Sequence, residues 1–86
     1  MIDIFYPPIF IRKFGKLESD LQEEAIEKIN LFKNSKNHTI LKVHKLHGKF
    51  SGQFGFSINY KFRIVFRYIS KNKVLFLDID DHDIYK

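Results

Sequence analysis

The chain reads as a single α+β domain in which two N-terminal helices pack on a four-stranded, mainly antiparallel sheet, in the order β-α-α-β-β-β. Three observations lead there. Leu21, Ala25, Ile29 and Phe32 recur at helical spacing, with Ile26 and Leu31 beside them and Glu23, Glu24, Glu27 and Lys28 on the other face. From Phe54 to Ile69 the apolar residues alternate with Gly55, Ser57, Asn59, Lys61, Arg63 and Arg67, the period of half-buried antiparallel strands. Val74-Leu75-Phe76-Leu77 is apolar without interruption, as a strand covered on both faces should be.

The elements follow in order. Ile2–Tyr6 is a short strand, suited to a sheet edge, which Pro7-Pro8 stops. Pro8 opens a helix to Phe14, with Gly15 as its stop. Ser19 and Gln22 have the spacing of a capping box at the start of an amphipathic helix of about four turns ending near Lys33. Asn34-Ser35-Lys36-Asn37 is a polar break. Leu41–Gln53, with glycines at 48 and 52, is expected to be an ordered loop. A run as long as 54–69 is too long for one ordinary strand, so it divides at Asn59-Tyr60-Lys61 into Gly52–Ile58 and Phe62–Ile69. Ser70-Lys71-Asn72 then turns into the last strand, which runs to Asp80. If Phe56, Ile64 and Phe66 face the helices, Ser57, Arg63 and Arg67 face the other way.

Charge is segregated along the chain. Residues 31–73 carry ten Lys and Arg and no Asp or Glu, whereas 1–30 sum to −2 and 74–86 to −3. Such a distribution suits a surface for a polyanion, the alternative being a solvated lysine-rich face. The chain has 86 residues, 44% of them hydrophobic, which fits one small globular domain and not a disordered tail. It has no cysteine, and therefore no disulfide framework or thiolate metal site. Its start, Met-Ile-Asp-Ile-Phe, lacks the basic region and apolar run of a secretion signal, and no apolar segment approaches the ~20 residues of a membrane span. A cytoplasmic location without membrane association is expected.

Arg63 lies in an alternating strand among small or polar neighbours on its own face, where a guanidinium can grip a phosphate through two parallel hydrogen bonds. His82, inside Asp80-Asp81-His82-Asp83, has carboxylates that favour its imidazolium and make it a proton donor; alternatively it is a surface histidine. Tyr85 can stack on a nucleobase or dock the chain's end on the body. His44, Lys45, His47 and Lys49 form a cationic cluster. Its His-x-x-His pair lacks a carboxylate or cysteine and is ringed by lysines, so it favours phosphate contact or proton transfer over a metal, and no cofactor is expected. RNA cleaves without water or metal when its own 2′-OH attacks the adjacent phosphate. One group must remove a proton, another supply one, and cations must neutralise the growing charge.

Three segments together, His44-Lys45-Leu46-His47-Gly48, Phe56–Phe66 and Leu77–Tyr85, resemble the RelE/ParE superfamily of type II toxins, closest to its RelE/StbE and YafQ-like branch. The resemblance spans nearly the whole chain. It implies a RelE-like fold and an endoribonuclease that cuts messenger RNA in the ribosomal A site. It also implies a cognate antitoxin that neutralises the toxin, and contact with operator DNA only through the antitoxin complex. Carried over residue by residue, Arg63 matches the phosphate-contacting arginine, and His82 the C-terminal histidine of acid-base chemistry. His47, with His44 or Lys45 close by, falls in the loop that supplies a further catalytic or RNA-contacting residue. Tyr85 falls near the C-terminal aromatic. Lys49, Lys61 and Arg67 complete the expected RNA-binding set. YoeB-like members use a mid-chain glutamate as base, which is absent here, and RelE has a C-terminal arginine where this chain has His82, so the base is left unassigned. The competing readings are a ParE-like gyrase-inhibiting toxin without nuclease activity, a non-catalytic nucleic-acid-binding module, and an inactive toxin.

Overall fold

The structure, a computed structural model, describes residues 1–48 and 51–81. Strand β1 (Asp3–Phe5) is followed by helices α1 (Pro8–Gly15) and α2 (Ser19–Phe32) and a 3-10 turn at Ser35–Asn37. Strands β2 (His44–Lys45), β3 (Phe54–Ser57), β4 (Phe62–Ser70) and β5 (Lys73–Asp81) complete the chain order. The sheet has five strands in the order β1-β5-β4-β3-β2. All its pairings are antiparallel except that of β1 with β5. The expected α+β architecture with two N-terminal helices is present. The strand count is one higher than expected, because β2 forms inside the segment read as a loop.

Local chemistry explains most boundaries. Pro8 stands at the first turn of α1, where its missing N–H costs nothing. Helix α2 departs from the expected capping box: no side chain caps its N-terminus. Gln22 instead donates to the carbonyls of Phe14 (3.1 Å) and Gly15 (3.4 Å), fastening α2 to the end of α1.

Phe10, Phe32, Phe56, Phe66 and Phe76 are all fully buried between the helices and one face of the sheet. Phe32, at the end of α2, is their centre. It stacks on Phe56 (centroids 4.6 Å apart, planes 10° apart) and meets Phe66 and Phe76 edge-on at 4.9 and 5.8 Å. On its own chain His38 stacks on it at 4.6 Å and donates through Nε2 to the Phe32 carbonyl at 2.9 Å. Ile2, Ala25, Ile29, Leu41, Ile58, Ile64, Val74 and Ile79 fill the remaining space.

A register shift between β4 and β5 sets Val65 opposite Asp78 and Phe66 opposite Phe76, leaving Leu77 as the extra residue. It reverses the alternation, so that Phe76 and Ile79 both reach the core although three residues apart. Strand β5 lies inside the sheet, yet its faces are unequal: Val74 and Phe76 are buried, Leu75 and Leu77 half-buried. β1 pairs only with Lys73–Leu75. Further along β5, Lys13 of α1 reaches Asp78 Oδ1 at 2.6 Å and Asp80 Oδ2 at 3.1 Å.

Two predictions follow from this packing. Phe32→Ala removes the ring at the centre of the cluster and should cost about 3–5 kcal/mol in denaturant unfolding. The hydrogen bond to Asp78 raises the Lys13 pKa above its ordinary 10.5. Its stabilisation is therefore complete at neutral pH and is lost only as pH rises through the raised value. Lys13→Met should cost less than about 1 kcal/mol at neutral pH, the pair being partly solvated, and the difference should vanish in strongly alkaline unfolding experiments.

Candidate nucleic-acid interface

The alternation that sends Phe54, Phe56, Ile64 and Phe66 towards the helices turns Ser57 and Arg63 to the opposite face, where they are cross-strand partners. Lys42, His44, Ser57, Asn59, Tyr60 and Arg63 line an open pocket of about 530 Å³ there. Among the described residues its lining has three basic side chains and no acid, while Asp80 of β5 is the cross-strand partner of Arg63 on its other side.

Each wall has a local cause. Residues 38–43 form a helix-like turn closed by Val43 N–H donating to the His38 carbonyl at 2.9 Å and Lys42 N–H to the Thr39 carbonyl at 3.1 Å. Those bonds make a Schellman-type stop, in which the residue at the left-handed position is usually glycine. Here it is Lys42, with φ 59°. A lysine held in that conformation stores about 1 kcal/mol of backbone strain. The next residues pair with β3, His44 opposite Gly55. The His44 ring is exposed, and its Nδ1 lies 2.7 Å from the Lys42 carbonyl oxygen. A carbonyl only accepts, so Nδ1 carries the proton, and in the neutral ring Nε2 is left with a lone pair.

The β3–β4 connection is the other wall. Asn59 Oδ1 accepts from the Lys61 and Phe62 backbone N–H groups at 2.8 and 2.7 Å, an Asx turn that fixes the bend. Asn59 Nδ2 donates to Glu24 Oε1 of α2 at 2.9 Å, tying the bend to the helical layer. Tyr60, at its apex, is 93% exposed.

The face is not polar throughout, as the alternation suggested. Val65 and Leu46 are buried on it, apart from the main core. Gly55 is cross-strand from Val65. A Cβ at Gly55 would lie 3.5 Å from Leu46 Cδ2 and 3.7 Å from Arg63 Cδ, so the missing side chain leaves room for Leu46 to fold over the sheet and for the Arg63 stem beside it. Arg63 is accordingly half-buried.

Of the other expected site residues, Lys45, in β2, and His47, just after it, are exposed and do not line the Arg63 pocket. Arg67 is exposed further along β4, on the same face by alternation and about 13 Å away. Lys61 lines a different pocket with Lys16, Glu18 and Phe62, 3.8 Å from Asp81 Oδ2. His82, Tyr85 and Lys49 lie outside the described residues. Among the described residues no three His, Asp or Glu side chains group as metal ligands, and no helix is long and apolar enough to cross a membrane. Lys42, Ser57, Asn59 and Tyr60 were not singled out from the sequence as site residues. The one available signal was Tyr60, an aromatic inside a polar Asn-Tyr-Lys turn.

Comparison by sequence finds no matching family model and no matching curated protein. Comparison of structures finds the fold. A chain of the toxin–antitoxin complex RelBE2 from Mycobacterium tuberculosis matches with a TM-score of 0.71 at 16% identity, over 93% of this chain and 96% of that one. A chain of the YoeB–YefM complex from Staphylococcus aureus matches with 0.70 at 17%, over 93% and 95%. A chain of the intact RelBE toxin–antitoxin complex of Escherichia coli matches with 0.70 at 16%, also over 93% and 95%. The chain therefore has the fold of the RelE and YoeB structures.

Lys42 supplies a test of this wall. Lys42→Gly relieves the left-handed strain and removes the charge, whereas Lys42→Ala removes the charge alone. Glycine should leave stability unchanged or raise it by up to ~1 kcal/mol relative to alanine in thermal unfolding.

Proposed function

We propose that this protein is the toxin of a type II toxin–antitoxin system and an endoribonuclease that cuts messenger RNA on the ribosome. The observation that carries the reading is Arg63, set on a sheet face in a pocket it lines with Lys42 and His44. The fold, shared with chains from toxin–antitoxin complexes, supports the toxin role and a cognate antitoxin as partner. Contact with operator DNA then comes through that antitoxin.

The chemistry is transesterification. The RNA 2′-oxygen forms a bond to the adjacent phosphorus and the bond to the 5′-oxygen breaks, leaving a 2′,3′-cyclic phosphate and a free 5′-hydroxyl. His44 Nε2, its lone pair fixed by the Nδ1–Lys42 hydrogen bond, takes the 2′-OH proton. Arg63 and Lys42 neutralise charge growing on the non-bridging oxygens. His82, which follows β5 directly in the chain, is the proposed donor to the leaving 5′-oxygen, with Tyr85 nearby in sequence. His47, Lys45, Lys49 and Arg67 extend the cationic path for the RNA backbone.

Primer extension on messenger RNA after induction in bacteria tests the reading. Wild type should produce discrete cuts within translated codons. Arg63→Ala should reduce cutting about 100- to 1,000-fold with the fold intact, and His44→Ala should slow it without weakening RNA binding to the same degree. Growth arrest with intact messages would overturn the nuclease reading in favour of a gyrase-directed toxin.

A further inference from the structure

Tyr60 is exposed over nearly its whole surface, yet the residues on either side of it are held by hydrogen bonds. Asn59 beside it accepts two backbone N–H groups and donates to Glu24 of α2, and Ile58 N–H donates to the Phe62 carbonyl at 2.9 Å. No ring contact with another aromatic holds Tyr60 among the described residues, whereas Tyr6 and Tyr68 both pack against phenylalanines. The ring borders the pocket of Lys42, His44 and Arg63. An aromatic face kept in water on a braced turn, beside cations that attract phosphate, is the arrangement that receives a nucleobase. Stacking needs a base free of its helix, so the arrangement selects single strands.

We infer that Tyr60 is a substrate-binding residue on which a nucleobase next to the phosphate held by Arg63 stacks, so that the pocket takes single-stranded RNA and not duplex. This rests on the ribonuclease reading above and extends it to the form of the substrate. The phenol oxygen has no part in it; the ring face does. Tyr60→Phe should then behave as wild type, while Tyr60→Ala loses the platform without disturbing a core that Tyr60 does not enter.

The chain has no tryptophan, so Tyr60→Trp places a single indole reporter at the turn. The probe is a short single-stranded oligoribonucleotide with 2′-O-methyl riboses, which blocks the attacking hydroxyl. Stacking should quench the indole on titration. By anisotropy of the labelled probe, Tyr60→Ala should bind roughly 5- to 150-fold more weakly than wild type and Tyr60→Phe equally well. The same sequence as a duplex should bind without dependence on residue 60. If wild type binds the single strand and Tyr60→Ala binds as tightly with no quenching in Tyr60→Trp, the stacking role is overturned while RNA binding stands. If Arg63→Ala and wild type alike fail to bind the single strand, the stacking role falls, while the ribonuclease reading is decided separately by the primer extension above.

Discussion

The stacking of Phe32 on Phe56 and its edge contacts with Phe66 and Phe76 decide the rest of the molecule. They join the end of α2 to three strands at once. A strand has two faces, and once Phe56, Ile64 and Phe66 are committed to this cluster, Ser57 and Arg63 are committed to the other. The position of the arginine is thus a by-product of aromatic packing on the far side of its strand. A one-residue slip of β4 would put a guanidinium into the core and expose Ile64, which is why the register is well determined.

The opposite face is built by different means. Among the described residues it buries only Leu46 and Val65, around Gly55, with Leu75 half-buried, and it relies on backbone hydrogen bonds: a Schellman-type stop at Lys42, an Asx turn at Asn59, and the two-residue pairing of β2 with β3. Few buried contacts and many exposed backbone bonds mark the part of a protein that opens at low free-energy cost. The layer that carries the cations is therefore the softer one, supported by the aromatic layer beneath it.

The strands with full alternation, both helices and the outward direction of Arg63 were legible in the sequence because periodicity of 2 or 3.6 reports burial directly. The acid-free middle likewise located the pocket's charge. What was not legible has no period. His44–Lys45 is too short to alternate, so β2 looked like loop. Gln22 sits at capping-box spacing, but nothing local shows that Phe14 and Gly15 carbonyls will be nearer than the N-cap. Lys42 occupies a glycine position without glycine's signature. Lys61 looked like one more cation of the basic face until the fold brought Asp81 across from Phe62, beside it.

The parallel pairing of β1 with β5 joins Asp3 to Lys73 and so ties the beginning of the sheet to its last strand. During synthesis, at about 5–20 residues per second, β1 spends several seconds outside the ribosome before any strand exists for it to pair with. Phe76, a wall of the aromatic cluster, arrives with the same late strand. The nascent chain thus has helices and a hairpin early but no closed core until β5 emerges, and the rigid backing for Arg63 comes with it. Vectorial synthesis leaves the cationic face without its full aromatic backing until β5 has been made.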